Sequence, residues 1–226
     1  MEKSSNKILL LMPTLNEEEG LKNVLEEVKN LPFKVELIIV DGLSTDKTRE
    51  IAKKNSIAVV WEPKSGYGYA MQSGLCYIST IYPEDNIIVI LDADGTYETK
   101  DIIKLIEPII KGEADFVTGN RQFKNMSFKT RFGNKFISKF SNLCLDLGVI
   151  DTQSGMKALK VELAKKLKIQ TNGISWQIEF ITQAKREGAR IKEVPINYNC
   201  RIGKKKLGRI KDGLYEVYSI IKMIEV

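Results

Sequence analysis

Short apolar runs alternate with helical spacing through the first half of the chain, and this alternation restricts the possible folds more than any other feature. Ile8 to Met12, Val35 to Val40, Ile57 to Trp61 and Ile87 to Leu91 are runs rich in Ile, Val and Leu, the pattern of buried strands. Between them, Leu21, Val24, Leu25 and Val28 recur at helical spacing after Thr14-Leu15-Asn16, and Ser44-Thr45-Asp46 offer N-cap side chains for a helix through Ile51 and Ala52. Strands alternating with helices build a mainly parallel sheet covered on both faces, and ligands bind beyond the carboxyl ends of its strands. Functional motifs should therefore follow strands. Pro13 to Glu17, Asp41 to Thr48, Glu62 to Gly68 and Asp92 to Tyr97 each do.

The second half is less regular, with a strand predicted at Asp115 to Thr118, a helix from Thr130 to Leu147, a helix at Trp176 to Arg186 and a strand at Ile191 to Tyr198. Leu207, Ile210, Leu214, Val217, Ile221 and Ile224 then recur at helical intervals opposite Arg209, Lys211 and Lys222, which predicts an amphipathic helix over about 207–224. That helix is expected to pack on the domain, with a membrane surface or a partner as the alternative coverings of its apolar stripe. No internal repeat or linker interrupts residues 1–226, so they read as a single α/β domain.

Histidine is absent, which excludes Ser-His and Cys-His nucleophile pairs and leaves carboxylates, metals or cations to carry any chemistry. Cys76, Cys144 and Cys200 show no metal-ligand spacing and fit reduced thiols. No apolar run approaches the roughly 20 residues that span a bilayer, and Met1 to Lys7 is polar, so a cytoplasmic chain is expected, with membrane access either peripheral or supplied by a membrane partner. The net charge of +6 is concentrated in Arg121, Lys124, Lys129, Arg131, Lys135 and Lys139, and again in Arg201, Lys204, Lys205, Lys206, Arg209 and Lys211. Two basic clusters imply an anionic partner. No nucleic-acid motif accompanies them, so nucleic acid is not the expected one.

The strongest local signal is Ile87 to Gly95, where an apolar strand delivers Asp92 and Asp94, separated by Ala93, to its exposed end. Two such acids call for a cation. Hard oxygen ligands suit Mg²⁺ or Mn²⁺, with substrate phosphates completing the coordination. An isolated Asp-x-Asp-Gly is also ordinary turn chemistry. Its company argues otherwise: Pro13-Thr14-Leu15-Asn16-Glu17, Val40 to Thr48 and Gly66-Tyr67-Gly68-Tyr69-Ala70 each follow a strand of their own. A dinucleotide-binding reading fails because Gly66-Tyr67-Gly68 lacks the third glycine and follows the third strand instead of the first.

With these motifs the chain resembles family 2 glycosyltransferases of the GT-A fold, and more narrowly the dolichyl-phosphate mannose or glucose synthases. The ordered matches are Met12 to Glu19, Val40 to Thr48, Lys64 to Ala70, Leu91 to Gly95, Gly119-Asn120-Arg121, Asp151 to Lys157, and Arg201-Ile202-Gly203 leading to Lys206-Leu207. The resemblance implies that Pro13, Leu15 and Glu17 line the nucleotide pocket, with Asp41 facing base or ribose and Lys64 nearby. It implies that Asp92 and Asp94 hold the metal on the donor diphosphate, with Ala93 between them. Arg121 would bind an acceptor phosphate, with Arg131 and Ser138 beside it, and Arg201 and Lys206 would close over the diphosphate. Three positions depart from the pattern: Thr96 stands where the mannose synthases have glutamine, Asp41-Gly42 replaces Asp-Asp, and Lys205 replaces serine.

The reading implied is metal-dependent transfer of a hexose from a nucleotide-sugar, of GDP-mannose or UDP-glucose type, to a polyprenyl phosphate, with inversion. A lipid phosphate is already anionic and needs no general base. The alternative is a family 2 enzyme acting on a saccharide or protein hydroxyl, which requires a carboxylate base; Asp151 and Glu179 are the candidates. A silent nucleotide-sugar-binding subunit is a third reading, opposed by the presence of both Asp92 and Asp94.

Overall fold

The computed structural model describes residues 6–121, 126, 128–202 and 209–224, with the side chains of 209–212 excepted. Among the described residues seven strands form one sheet: β1 (Ile8–Thr14), β2 (Val35–Asp41), β3 (Ala58–Trp61), β4 (Ile87–Ile90), β5 (Phe116–Arg121), β6 (Lys157–Lys160) and β7 (Ile191–Ile196), in the order β3-β2-β1-β4-β6-β5-β7. β1 pairs in parallel with β2 and β4, β2 with β3, and β5 with β7, whereas β6 runs antiparallel to both β4 and β5. The carboxyl ends of six strands therefore share one edge with the amino end of β6. That reversed strand brings the Asp151 to Met156 loop to the same edge as Asp92.

The helices are α1 (Glu18–Val28), α2 (Thr48–Lys54), α3 (Tyr67–Ile81), α4 (Ile102–Ile110), α5 (Phe128–Leu145), α6 (Val161–Ala164), α7 (Trp176–Arg186) and α8 (Arg209–Ile224). Alternate strand residues feed two cores. Leu9, Leu11, Ile38, Val40, Ile88 and Ile90 pack against α3, α6 and α7 with Ile137 of α5 and Ile220 of α8, while Leu10, Met12, Ile39, Val89 and Leu91 pack against α1, Ala52 of α2 and α4. Burial on both faces explains why β1, β2 and β4 read as unbroken apolar runs. Among the described residues no helix is long and apolar enough to cross a membrane.

One local expectation is met in part: of Ser44, Thr45 and Asp46, Asp46 bonds the first N–H of its helix. Helix α2 starts at Thr48 with no side-chain bond from its N-cap residue, and Ser44 does not cap it. Ser44 Oγ instead accepts the Asn16 N–H at 2.9 Å, and Asp46 accepts from Glu18 N–H at 3.1 Å while its other oxygen accepts from Thr48 N–H at 2.9 Å. The parallel pairing of β1 and β2 lays their two following loops side by side, so the capping side chains are shared between them.

Candidate active site

Asp92 and Asp94 lie directly beyond β4, and glycines let the backbone crowd around them. A Cβ at Gly20 would sit 2.0 Å from the Ala93 carbonyl oxygen, and one at Gly155 would sit 2.6 Å from Asp92 Oδ2. Asp92 Oδ1 accepts the Tyr67 hydroxyl. Asp94 is buried; its Oδ1 accepts the Thr96 N–H at 3.0 Å and the Thr96 hydroxyl at 2.6 Å. Thr96 thus orients an acid. Burial, followed by the negative charge of Asp94, raises the Asp92 carboxyl to about 7. A pair whose charges resist coexistence is suited to a divalent cation, and among the described residues no cluster of three His, Cys, Asp or Glu is placed to hold an ion unaided. Two carboxylates leave room for phosphate oxygens, which fits Mg²⁺ or Mn²⁺.

The segment after β7 straps onto this turn. Tyr198 bridges to Tyr97, Asn199 N–H donates to Thr96 O at 2.8 Å, and Ile202 N–H donates to Asp94 O at 2.9 Å. Gly95, at φ 74°, leaves the space that Ile202 fills; a Cβ there would be 2.6 Å from Ile202 Cδ1. The strap delivers Arg201, which donates to Asp94 Oδ2 at 2.8 Å and also to Glu17. The guanidinium therefore lies on Asp94, one of the two acids of this turn. Lys206, its expected companion, lies outside the described residues.

On the β1 to β3 side, Pro13 and Leu15 border the edge, with Leu15 exposed, and Glu17 is buried. Asp41, expected to face base or ribose, is fully buried with its carboxylate turned into the protein: it accepts Ser44 N–H and Arg49 Nε at 2.9 Å. Arg49 in turn lies 4.4 Å from the ring centroid of Trp61, which is exposed and opposite Asp41 in the β2–β3 register. Arg49 and Trp61 carry no motif and escaped sequence reasoning. Lys64 is exposed, its ammonium 5.1 Å from the Tyr69 ring, and its N–H donates to Glu62 at 2.8 Å.

On the β5 side, Arg121 ends its strand beside the site but is buried in a two-point ion pair with Asp151, Nε at 2.7 Å and one terminal nitrogen at 2.8 Å. Asp151 also accepts the Gln153 N–H, so this base candidate is fully engaged. Glu179, the other, clamps Gln170 N–H, Thr171 N–H and the Thr171 hydroxyl at 2.7–2.9 Å. Ser138 is buried and accepts Thr152 N–H at 3.2 Å, joining α5 to the Asp151 loop instead of facing open space. Arg131 is exposed on α5.

Behind the acids stands a stack that the sequence did not announce. Tyr67 lies on Trp176 with centroids 5.3 Å apart, and the ammonium of fully buried Lys157 is 5.5 Å from the Trp176 ring while donating to Ser154 O. Tyr67 was visible only as the residue between Gly66 and Gly68. Those glycines receive the chain at Thr171 and Asn172, with Gly68 N–H donating to Asn172 O at 3.0 Å.

Comparison with known proteins identifies the family and the fold. Residues 10–168 match the family model described as glycosyl transferase family 2. The chain is 31% identical to the dolichyl-phosphate hexose transferase of Haloferax volcanii, over 96% of this chain and 93% of that one. It is 32% identical to the UDP-N-acetylglucosamine–dolichyl-phosphate N-acetylglucosaminyltransferase of Methanococcus voltae, over 84% of each. A crystal structure of glucosyl-3-phosphoglycerate synthase from Mycobacterium tuberculosis superposes with a TM-score of 0.77 at 21% identity, covering 99% of this chain and 82% of that one. Another structure of that enzyme, in complex with Mn²⁺, UDP and glucosyl-3-phosphoglycerate, gives a TM-score of 0.72. The GT-A architecture is thus shared, and the family match runs from β1 through β6 and includes the Asp92–Asp94 turn, so the chain belongs to glycosyl transferase family 2 and is a glycosyltransferase.

Proposed function

We propose that this enzyme transfers a hexose from a nucleoside-diphosphate sugar, of GDP-mannose or UDP-glucose type, to a polyprenyl phosphate of the dolichyl kind, with inversion at the sugar carbon. The observation that carries the reading is the engagement of the carboxylates that could serve as a base. Asp41, Glu62, Asp151 and Glu179 are each bound by N–H groups, hydroxyls or an arginine. An alcohol acceptor requires a base at hand, whereas a phosphate monoester arrives ionised. The names of the Haloferax and Methanococcus relatives, both dolichyl-phosphate transferases, support the same acceptor.

In this reading Asp92 and Asp94 hold Mg²⁺ or Mn²⁺, which when bound offsets the negative charge growing on the leaving diphosphate. Tyr67 and Thr96 fix the two acids. Pro13, Leu15, Glu17 and Lys64 border the nucleotide, and Asp41 stands behind them holding Arg49. Arg201, whose Nε–H is buried without a partner among the described residues, turns from Asp94 toward the diphosphate, joined by Lys206. Arg121 and Arg131 supply positive charge to the acceptor phosphate, and Ser138 holds the Asp151 loop beneath it. The acceptor's hydrocarbon tail sets the reaction at a membrane surface.

A transfer assay read by mass spectrometry tests this: full-length protein, a panel of UDP- and GDP-sugars, a short dolichyl phosphate, and Mn²⁺ or excess chelator. Metal-dependent glycosyl phospholipid, lost in Asp92→Asn, is the expected result. Product on a saccharide alcohol with none on the lipid would replace it with the hydroxyl-acceptor reading, and nucleotide-sugar binding without any transfer would leave a silent subunit.

A further inference from the structure

Helix α5 presents an unusual outer face. Phe128, Phe132 and Phe136 succeed one another at four-residue spacing, and Leu143 follows on the same side; their exposures are 82%, 67%, 54% and 84%. Large apolar side chains scattered singly are normal on a surface, but an aligned row is an interaction site. The row is held in place. Phe136 stacks on Phe140, which packs into the core, and the opposite face of α5 buries Ile137, Ser138 and Ser141.

Charge identifies what covers the row. Lys129, Arg131, Lys135 and Lys139 are all exposed on the same helix, among the phenylalanines. From Phe116 to Leu145 the chain contains no Asp or Glu. Aromatic residues interleaved with cations, without a single acid, match the interface of an anionic lipid leaflet, where rings enter the headgroup region and lysines meet phosphates. A protein partner or a second copy would offer no comparable reason for the one-sided charge. Helix α8, packed on α5, adds exposed Leu214, Tyr218 and Ile221.

We infer that the Phe128–Phe132–Phe136 face of α5, with its flanking lysines, is a membrane-docking surface that binds anionic bilayers peripherally. Its placement gives it a purpose, which rests on the lipid-phosphate reading above. Ser138, on the inner side of α5, holds Thr152, and the adjacent Asp151 holds Arg121 at the site. Docking by α5 therefore sets the acceptor side of the active site against the leaflet.

The test is co-sedimentation of the full chain with vesicles of phosphatidylcholine alone or mixed with phosphatidylglycerol. Wild type should bind the mixed vesicles in a salt-sensitive way. Phe132→Ser with Phe136→Ser should weaken binding by about tenfold or more, because two exposed rings lose their apolar burial. Lys129→Gln with Lys139→Gln should weaken binding to anionic vesicles only. Both variants replace exposed residues, and their thermal unfolding should match wild type. No binding by wild type, or equal binding by wild type and the phenylalanine variant, overturns the inference. A wild-type dimer in light scattering that the phenylalanine variant dissolves would also overturn it, assigning the face to a second copy. Transfer to a short, detergent-soluble polyprenyl phosphate should survive in the phenylalanine variant. Vesicle binding without any lipid-phosphate transfer would sink the acceptor reading and leave the docking surface standing.

Discussion

The guanidinium of Arg201 donates a 2.8 Å hydrogen bond to Oδ2 of Asp94, so a side chain from beyond the last strand occupies the acid that follows β4. A cation bound there competes with any other for the same oxygen. Arg201→Ala should tighten Mn²⁺ binding several-fold in the absence of nucleotide. It should also lower kcat/KM by about tenfold or more, since the same charge is withdrawn from the leaving diphosphate. Calorimetric titration with Mn²⁺ and steady-state kinetics give the two readouts. Weaker Mn²⁺ binding in the variant would mean that Arg201 shapes the acid pair instead of competing for it.

Arg121 and Asp151 are both buried, with side-chain exposures of 7% and 0%. Removing one partner leaves the other charge stranded, a change that typically costs about 3–5 kcal/mol. Arg121→Ala should therefore lower the unfolding temperature markedly, and its activity loss will mix stability with acceptor binding. Arg121→Lys keeps the charge and loses the two-point geometry, so it should raise the acceptor KM with a smaller loss of stability. A melt of Arg121→Ala coincident with wild type would show that the pair adds nothing to the fold.

The legible parts of the fold are those where burial is symmetric. β1, β2 and β4 are apolar on both faces and announce themselves, and α7 occupies Trp176–Arg186 as its spacing predicts. β6 is not legible because Lys157-Ala158-Leu159-Lys160 has a lysine at each end, and the partners that make a buried Lys157 tolerable, the Ser154 carbonyl, the Trp176 ring and the charges of Asp151 and Asp92, come from elsewhere in the chain. α3 was missed because its glycine-rich start reads as loop, although Gly66 and Gly68 serve a close approach of backbone at Thr171 and Asn172. The motifs told which loops meet at the site. They did not tell which way a carboxylate turns: Asp41 faces Arg49, and that choice depends on a residue outside any motif.

Gly155 is the glycine on which the acid pair depends most directly. Its N–H donates to the Tyr97 hydroxyl at 2.7 Å, and a Cβ would lie 2.6 Å from Asp92 Oδ2. Its backbone is not left-handed, so an alanine is acceptable to the chain and the clash falls on Asp92. Gly155→Ala should weaken Mn²⁺ binding and reduce kcat/KM by about tenfold or more, with a stability loss of about 1–3 kcal/mol from overpacking. Turnover and Mn²⁺ affinity equal to wild type would show that Asp92 has room to move without consequence.

Lys157 makes stability depend on pH in a direction that can be worked out. Burial lowers its ammonium from the ordinary 10.5 to about 7, opposed by Asp151 and Asp92 and reinforced by Arg121. Between about 7 and 10.5 the unfolded chain holds a proton at this position that the native protein has released. Native stability should therefore rise with pH across that window, and the burden of the buried charge is fully present below it. Lys157→Met removes the titrating group while keeping most of the volume against Trp176. The variant should be at least as stable as wild type near neutral pH, and wild type should gain on it steadily as pH is raised. Thermal unfolding of the two proteins across a pH series reads the difference, in which titrations common to both cancel. Parallel curves would place Lys157 as a charged group throughout the window, held by Asp151 and the Ser154 carbonyl strongly enough to outweigh its burial.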